Sequence, residues 1–470
     1  MSKQFFILLS LLIVLMVYRP SLAHISHSHS DEQNQKHLIL EMKVHDFDQT
    51  LKTLQNGNAD VTYANKKLGV IHVAGDLADF QLYSQDKMSS VKVLKSLLVF
   101  KPDSKYKDPG EIDAWVSDLA KKYPNLVHVE SIGKTLEGRD QWGIRISDDD
   151  EINKDEPAIL FNGLHHAREV MTVEVIQDIV DQLVKDSEKD SLIKSWIIKY
   201  QVWIVPMVNP DGSNRVWTTD TMWRKNVRGG YGVDINRNYP YKWGACNGSS
   251  GSTGSQTYRG ESAGSEPETQ NMMKLVLKAN PSFDISFHSY GEMVIYPFGC
   301  NGIKPPAESR VEAMGKEMAG LINYNPGAAW EILYDVDGGD IDWMYGVAGV
   351  IPYVIELSKS SEGFQPSYST RDALVTKIRL AWKYLFTQLD QGTGLLVGTD
   401  SEIGLDKATI DIEKRSLMGW KKIRNLPINN QVKFVPLLKG QYRIIHRVNG
   451  LNEEIKKVNI SGGEQLKIRF

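Results

Sequence analysis

The strongest constraint on this chain is an alternation that runs through residues 111–395. Short apolar runs at Ala158 to Phe161, Gln201 to Pro206, Phe283 to Phe287 and Ile351 to Leu357 read as strands, and the stretches between them carry helical spacing, clearest in the amphipathic segment Met171 to Val184. Strands that alternate with helices predict an α/β fold, a β-sheet flanked by helices. Folds of this class gather their chemistry at the carboxyl edge of the sheet. The residues that end these runs are therefore the ones to read first.

The flanks differ in character. Residues 38–100 look like a small α/β unit, with strand-like Leu38 to Val44, Val70 to Val73 and Val91 to Val99 and helical Phe47 to Leu54 and Leu77 to Tyr83. Residues 101–110 are polar and hold Pro102 and Pro109, the composition of a linker. Over residues 396–470 short runs (Ala408 to Ile412, Val432 to Pro436, Tyr442 to Arg447, Leu466 to Phe470) separated by turns predict a separate β-domain.

At the other end, Lys3, the apolar run Phe5 to Val17 and the small residues around Ser21 and Ala23 predict a secretory signal over residues 1–23. His24, His27, His29 and His37 then mark residues 24–37 as a His-rich leader. The apolar run is shorter than the ~20 residues that span a bilayer. The expected product is a secreted protein, extracellular or periplasmic, with no membrane span after signal removal. Losing Lys3 and Arg19 moves the formal charge from -3 to -5, which offers no basic footprint for nucleic acid. In an exported chain the two cysteines, Cys246 and Cys300, are free to pair.

Three runs end in residues with metal and acid–base chemistry. Asn162-Gly-Leu-His165-His166-Ala-Arg168-Glu169 follows the first run and reads as a turn that opens a helix. Zinc takes imidazole and carboxylate ligands and, when catalytic, keeps one position open. His166 and Glu169 are three apart, His165 and Glu169 four apart, and either pair fits one helical turn around a metal. Taken alone, such a motif is more often a capped helix with chance histidines. His288 closes another run more than a hundred residues later, and two near ligands plus a distant third is the usual layout of a three-ligand zinc site. Glu356 is a single acid inside an apolar run; burial would raise its pKa and suit it to act as a general base, whereas pairing with a cation would make it structural. Arg224 and Arg237 sit in loop-like segments, and arginine grips carboxylates with two prongs and stabilises oxyanions. The sequence has no HExxH, its Gly133-Lys-Thr135 lacks the first glycine of a phosphate loop, and Gly248 to Ser255 does not form GxSxG.

Together these segments resemble the zinc metallocarboxypeptidases, the family of the pancreatic carboxypeptidases A and B. The matching motifs, in the family's order across about residues 110–390, are His166-Ala-Arg-Glu169, Asn209-Pro-Asp-Gly212, Trp223-Arg-Lys225, Asn236-Arg-Asn238, His288-Ser-Tyr290, Gly338-Gly-Asp-Ile-Asp-Trp343 and Ile355-Glu-Leu357. The resemblance implies a mixed twisted sheet, one zinc ion per chain, and hydrolysis of the last peptide bond of peptides or proteins with a free terminal carboxylate. It implies His166, Glu169 and His288 as the ligands, with His165 excluded. Glu356 would be the general base and Arg224 the oxyanion stabiliser. Asn236, Arg237 and Tyr334 would grip the terminal carboxylate, Arg168 and Tyr290 would line neighbouring subsites, and Asp234 would orient His166.

Ile341 occupies the position that often sets side-chain preference in the family, which leans toward apolar or aromatic terminal residues. Asp335, Asp337, Asp340 and Glu292 lie close enough in sequence to leave basic residues open. Residues 38–100 are similar in layout to the prosegment that covers the active site in many secreted members. A zymogen cleaved near Lys101 to Lys107 would follow. Residues 396–470 resemble the transthyretin-like β-sandwich appended to some members. Two other readings stand beside this one: the same chemistry on cell-wall or other modified peptides, and a binding module, which would need a broken site.

Overall fold

The computed structural model describes residues 37–75, 88–97, 101–149, 151–152, 155–399, 407–428 and 430–470. The signal, the leader up to residue 36, the helix expected over Leu77 to Tyr83 and the strand end expected to reach Val99 lie outside these residues.

Four strands form the first sheet: β1 (His37–Val44), β2 (Asp60–Asn65), β3 (Val70–Gly75) and β4 (Met88–Leu97), in the order β2-β3-β1-β4 and antiparallel throughout. The helix Phe47–Asn56 begins where the Asp46 carboxylate accepts from Gln49 N at 3.0 Å, and it buries Phe47, Leu51 and Leu54 along one face.

The central sheet has eight strands: β5 (Val127–Lys134), β6 (Asp140–Ile146), β7 (Ala158–Gly163), β8 (Gln201–Val205), β9 (Pro281–His288), β10 (Met293–Tyr296), β11 (Asn325–Ala328) and β12 (Ile351–Glu356). Their order is β11-β10-β12-β9-β7-β8-β6-β5. β12, β9, β7 and β8 run parallel, and the antiparallel β10–β12, β8–β6 and β6–β5 pairs make the sheet mixed. β7, β8 and β9 are buried along their whole length, the expected state of parallel strands covered by helices on both faces.

One cover consists of the helices Met171–Asp186 and Arg371–Gln391, whose Ile176, Ile179, Trp382 and Phe386 join Phe161 and Phe287 in the main core. Removing an apolar side chain of this size from water contributes of the order of 2–3 kcal/mol. Gly163 lets the first helix come close: a Cβ there would meet Thr172 and Ile176 atoms at 3.3 Å.

The C-terminal region forms two further sheets from β13 (Gly394–Gly398), β14 (Ala408–Ser416), β15 (Gly419–Pro427), β16 (Lys433–Pro436), β17 (Gly440–Val448), β18 (Leu451–Ile460) and β19 (Gln465–Arg469). Their orders are β16-β13-β19 and β15-β14-β17-β18, and Leu395, Val397, Ile410, Ile412, Tyr442 and Ile444 fill a shared core. β13 starts at Gly394, so the boundary read at residue 396 falls inside a strand. These sheets pack on the beginning of β9. Phe434 N donates to Ser282 Oγ at 2.9 Å, and Phe434 meets the Phe283 ring edge-on at 6.0 Å. His288 is the last residue of the same strand, about 16 Å further along at about 3.3 Å per residue.

Candidate active site

The sheet order brings distant residues together. β7 and β9 are neighbours, and so are β9 and β12, with Glu356 directly opposite His288. The segment after β7, the end of β9 and the end of β12 therefore meet at one carboxyl edge. His166 and Glu169 do not lie in a helix. They occupy a turn in which Glu169 N donates to His166 O at 3.1 Å, and the helix starts at Met171. A tight turn with an i to i+3 bond keeps the same spacing that a first helical turn would give.

Within this turn His166 Nδ1 lies 2.8 Å from Glu169 Oε1, and His288 Nδ1 lies 3.1 Å from both His166 Nδ1 and Glu169 Oε2. Two imidazole nitrogens and a carboxylate that converge so closely need a cation or shared protons between them. Two imidazoles and one carboxylate facing an open cleft is a donor set that suits catalytic zinc. Ser289 N donates to Glu169 Oε2 at 3.1 Å and helps to fix that carboxylate. Burial works against ionised Glu169, but the two histidines prevail and hold it well below the usual range.

A second trio, His165, His288 and Asp340, also clusters, but it shares His288 with the first. His165 is turned elsewhere: its Nε2 meets Tyr239 Oη at 3.1 Å and its Nδ1 faces Ser286 Oγ at 3.4 Å. Complete burial depresses its pKa to about 3, so it is neutral.

Asp234 holds two of the candidate residues at once. Its Oδ1 lies 3.2 Å from His166 Nε2, and its Oδ2 accepts from Arg224 Nε at 3.1 Å and Nη2 at 2.8 Å. Burial opposes ionisation of Asp234, while Arg224 and His166 outweigh it and keep the carboxylate charged. The pair with Arg224 was not legible from the motif.

Arg237 donates through Nε to Gly248 O at 3.1 Å and through Nη1 to Asn236 O at 2.8 Å, which fixes its guanidinium against the cleft wall. Gly338 allows this approach. Its φ is +64°, and a Cβ there would stand 2.3 Å from Arg237 O. Asn236 is turned inward: its Nδ2 faces His288 Nε2 at 3.3 Å and its Oδ1 accepts from Asp340 N at 2.9 Å.

Glu356 reaches the same cleft, and its Oε2 has no hydrogen-bond partner among the described residues. Burial, reinforced by the negative charge of Glu169, raises its pKa to about 8.

The cleft wall is shared between these polar residues and the apolar side chains of Ile295, Leu333, Val336, Ile341 and Val354. Of the acids near Ile341, Asp337, Asp342 and Glu292 are engaged, whereas Asp340 lines the cleft and its Oδ2 accepts no hydrogen bond from a described residue. Asp342 accepts from Gly299 N with both oxygens, and burial lifts its pKa to about 7. Asp337 accepts from Cys246 N at 2.9 Å, Gly248 N at 3.1 Å and Ser249 Oγ. Glu292 pairs with Lys377 at 3.1 Å. Cys246 and Cys300 form a disulfide beside this loop.

The remaining candidates face the N-terminal unit. Arg168 Nη2 donates to Asp60 Oδ1 at 3.0 Å, and its guanidinium stacks 4.0 Å over the Phe364 ring. Tyr290 Oη meets Thr62 Oγ1 at 2.6 Å, and Thr62 itself lines the cleft. Tyr334 lines the cleft too, and it shares a buried cluster with Met42, Phe47, Leu51 and Ile71. Asp60 and Thr62 carried no sequence signal for this contact, because the pairing spans more than a hundred residues.

Comparison with known proteins bears on the family and the fold. Residues 112–380 match the family described as zinc carboxypeptidase. A zinc carboxypeptidase of Saccharothrix mutabilis subsp. capreolus is 33% identical over 274 residues, 54% of this chain and 62% of that protein. Carboxypeptidase B of Astacus astacus is 32% identical over 267 residues, 54% of this chain and 86% of that protein. The match covers about three-fifths of the Saccharothrix protein and of zinc carboxypeptidase A 1 of Anopheles gambiae, 62% and 60% respectively. The crystal structure of carboxypeptidase A from Helicoverpa armigera superposes with a TM-score of 0.67 at 24% identity, covering 77% of this chain and 98% of the other. That of thrombin activatable fibrinolysis inhibitor gives 0.66 at 21%, covering 75% and 98%. Both likenesses speak for the fold. The family match spans more than half of the sequence, and on that ground this chain belongs to the zinc carboxypeptidase family.

Proposed function

We propose that this protein is a secreted exopeptidase that releases the C-terminal residue of peptides and is made as a zymogen. The observation that carries the reading is the meeting of His166, Glu169, His288, Glu356, Arg224 and Arg237 in one cleft. His166, Glu169 and His288 would hold the zinc ion, which when bound supplies Lewis acidity at that point. Arg237 would grip the free carboxylate of the substrate, and a mid-chain bond has no such group to offer. Water adds to the scissile carbonyl carbon and gives a proton to Glu356. Arg224, held by Asp234, stabilises the oxyanion. The C–N bond then breaks, and the same proton passes from Glu356 to the leaving amine. Ile341 and the apolar side chains beside it, with Asp337, Asp342 and Glu292 engaged elsewhere, support a preference for apolar or aromatic terminal residues, while Asp340, which lines the same cleft, is the acid that would favour a basic one.

Blocked dipeptides ending in Phe, Leu, Arg or Glu test this. Release of one free amino acid, fastest from Phe or Leu, abolished by a chelator and restored by zinc, is the expected result. Cleavage of substrates amidated at the C-terminus at the same rate would remove the exopeptidase reading.

The zymogen part rests on Asp60, Thr62 and the cluster around Tyr334, which put the N-terminal unit against Arg168, Tyr290 and the cleft. In the segment read as a linker, Pro102 and Tyr106 are buried, Tyr106 Oη donates to Pro366 O at 3.0 Å, and Pro109 and Gly110 already belong to the helix Pro109–Lys122. Ser104 and Lys105 are exposed and are the favoured point for an activating cut.

The contact is expected to depend on pH through His72. This ring is buried between Tyr63 and Tyr290 at 4.7 and 6.1 Å, with Nε2 3.4 Å from Glu41. Burial lowers its pKa from 6.5 against the opposing pull of Glu41. Docking adds the Tyr290 ring to this burial, so the docked pKa is expected to lie below the released one; docking is then strongest above about 6.5 and is lost as pH falls through the lowered value. Limited proteolysis of the zymogen is therefore expected to accelerate on acidification relative to His72→Gln; superimposable pH profiles would remove His72 from the contact.

A further inference from the structure

We propose that the hairpin joining β14 to β15 docks this protein on an anionic lipid surface, with Leu417 and Met418 entering the apolar layer. These two side chains are the most exposed large hydrophobics among the described residues, at 109% and 100%. They sit at the hairpin tip, a place where Gly, Asn and Asp are the usual residues. The turn does not need them. Ser416 Oγ accepts from Met418 N at 3.3 Å and donates to Gly419 O at 2.8 Å, and Gly419 takes the φ of +115°. Two apolar side chains held fully in water contribute nothing to the fold, and a local rule broken without structural gain points to a function.

The collar around the tip says what the partner is. Arg415 stands opposite Trp420, Lys414 opposite Lys421 and Glu413 opposite Lys422. Lys414 has the Glu308 carboxylate 3.9 Å away, and Lys421 opposite it is the exposed cation left open to an external anion. The guanidinium groups of Arg415 and Arg443 stand 5.4 and 5.2 Å from the Trp420 ring centre. The acids on β14 are engaged internally, Glu413 with Arg443 and Asp411 with Lys422 and Arg447, and Glu453 and Glu454 on β18 stand at the end of the sheet away from the tip. Residues 394–470 hold 14 Lys and Arg against 8 Asp and Glu, a formal +6, in a chain whose total is -3. Tryptophan and cations at the headgroup level with aliphatic residues below them is the arrangement of an interfacial anchor. A polyanion without an apolar layer would use the cations and leave Leu417 and Met418 in water.

The test is co-sedimentation of residues 24–470, the chain after signal removal, with vesicles of phosphatidylcholine alone and of phosphatidylcholine with phosphatidylserine. Binding is expected to the second kind and to fall with salt. Leu417→Ser/Met418→Ser is expected to weaken it at least about tenfold, and Lys421→Glu by about fivefold, with the thermal midpoint unchanged. Absence of binding to the phosphatidylserine vesicles overturns the proposal. So does equal binding by wild type and the double serine variant, and retention of both on a heparin column would then assign the basic face to polyanions.

Discussion

Replacing Glu356 with Gln is expected to leave zinc content and KM near those of the wild type and to lower kcat by about 10²–10⁴-fold, the usual contribution of a positioned general base. The geometry favours a clean outcome. Glu356 ends β12 opposite His288, and its Oε2 accepts no hydrogen bond from a described residue, so the amide costs the fold little. Burial and Glu169 raise the carboxyl to about 8, while His288, Arg224 and Arg237 pull it down, and a bound dication would pull further in the same direction. The reactive form is the deprotonated one. Wild-type kcat should therefore rise with pH through the Glu356 value, on a limb that lies below about 8. That limb should be missing in Glu356→Gln. Steady-state profiles with zinc measured in parallel decide the matter. A variant that keeps both its rate and its acid limb would show that another group takes the proton.

The reason this residue could be picked out at all lies in the way parallel sheets write themselves into a sequence. β7 and β12 are apolar runs up to their ends, so Glu356 stands out against its neighbours, whereas β9 alternates Phe283, Ile285 and Phe287 with Asp284 and Ser286 before it ends in His288. Their adjacency then follows from the topology, since parallel neighbours need long crossovers and the three runs are well separated. What the sequence hid was orientation and long-range pairing. Asn236 was legible as a site residue, but not its turn toward His288. The spacing of His166 and Glu169 is the same in a tight turn as in a helix, so the start of the helix at Met171 could not be read. β13 pairs in parallel with β19, some seventy residues later, and no local pattern records such a partner. The contact of Asp60 with Arg168 is of the same kind: it depends on how a separately folded sheet lies against the cleft, and a single aspartate in a polar strand gives no sign of it.

Asp234→Asn is expected to weaken the site in two separable ways. The carboxylate is buried and accepts on both oxygens: Oδ1 from Asn236 N at 3.1 Å with His166 Nε2 at 3.2 Å, and Oδ2 from Arg224 twice. An amide has one acceptor oxygen. Whichever way it turns, its NH₂ confronts donors on one side, either His166 and the Asn236 amide or the Arg224 guanidinium. If His166 loses its partner, its ring is no longer held for the metal, and zinc affinity is expected to drop by about 10–100-fold. If Arg224 loses its partner, the guanidinium is buried with its main counter-charge gone, and the stabilisation of the oxyanion suffers even with the metal in place. Assay across a zinc titration separates the two. Activity that returns fully at high zinc assigns Asp234 to His166 alone. A residual deficit in kcat of about tenfold or more at saturating zinc, with KM little changed, assigns it to Arg224 as well, which is the result the two-sided geometry predicts. Wild-type zinc affinity and rate in the variant would mean that neither contact matters to the chemistry, and the role given to Asp234 would fall.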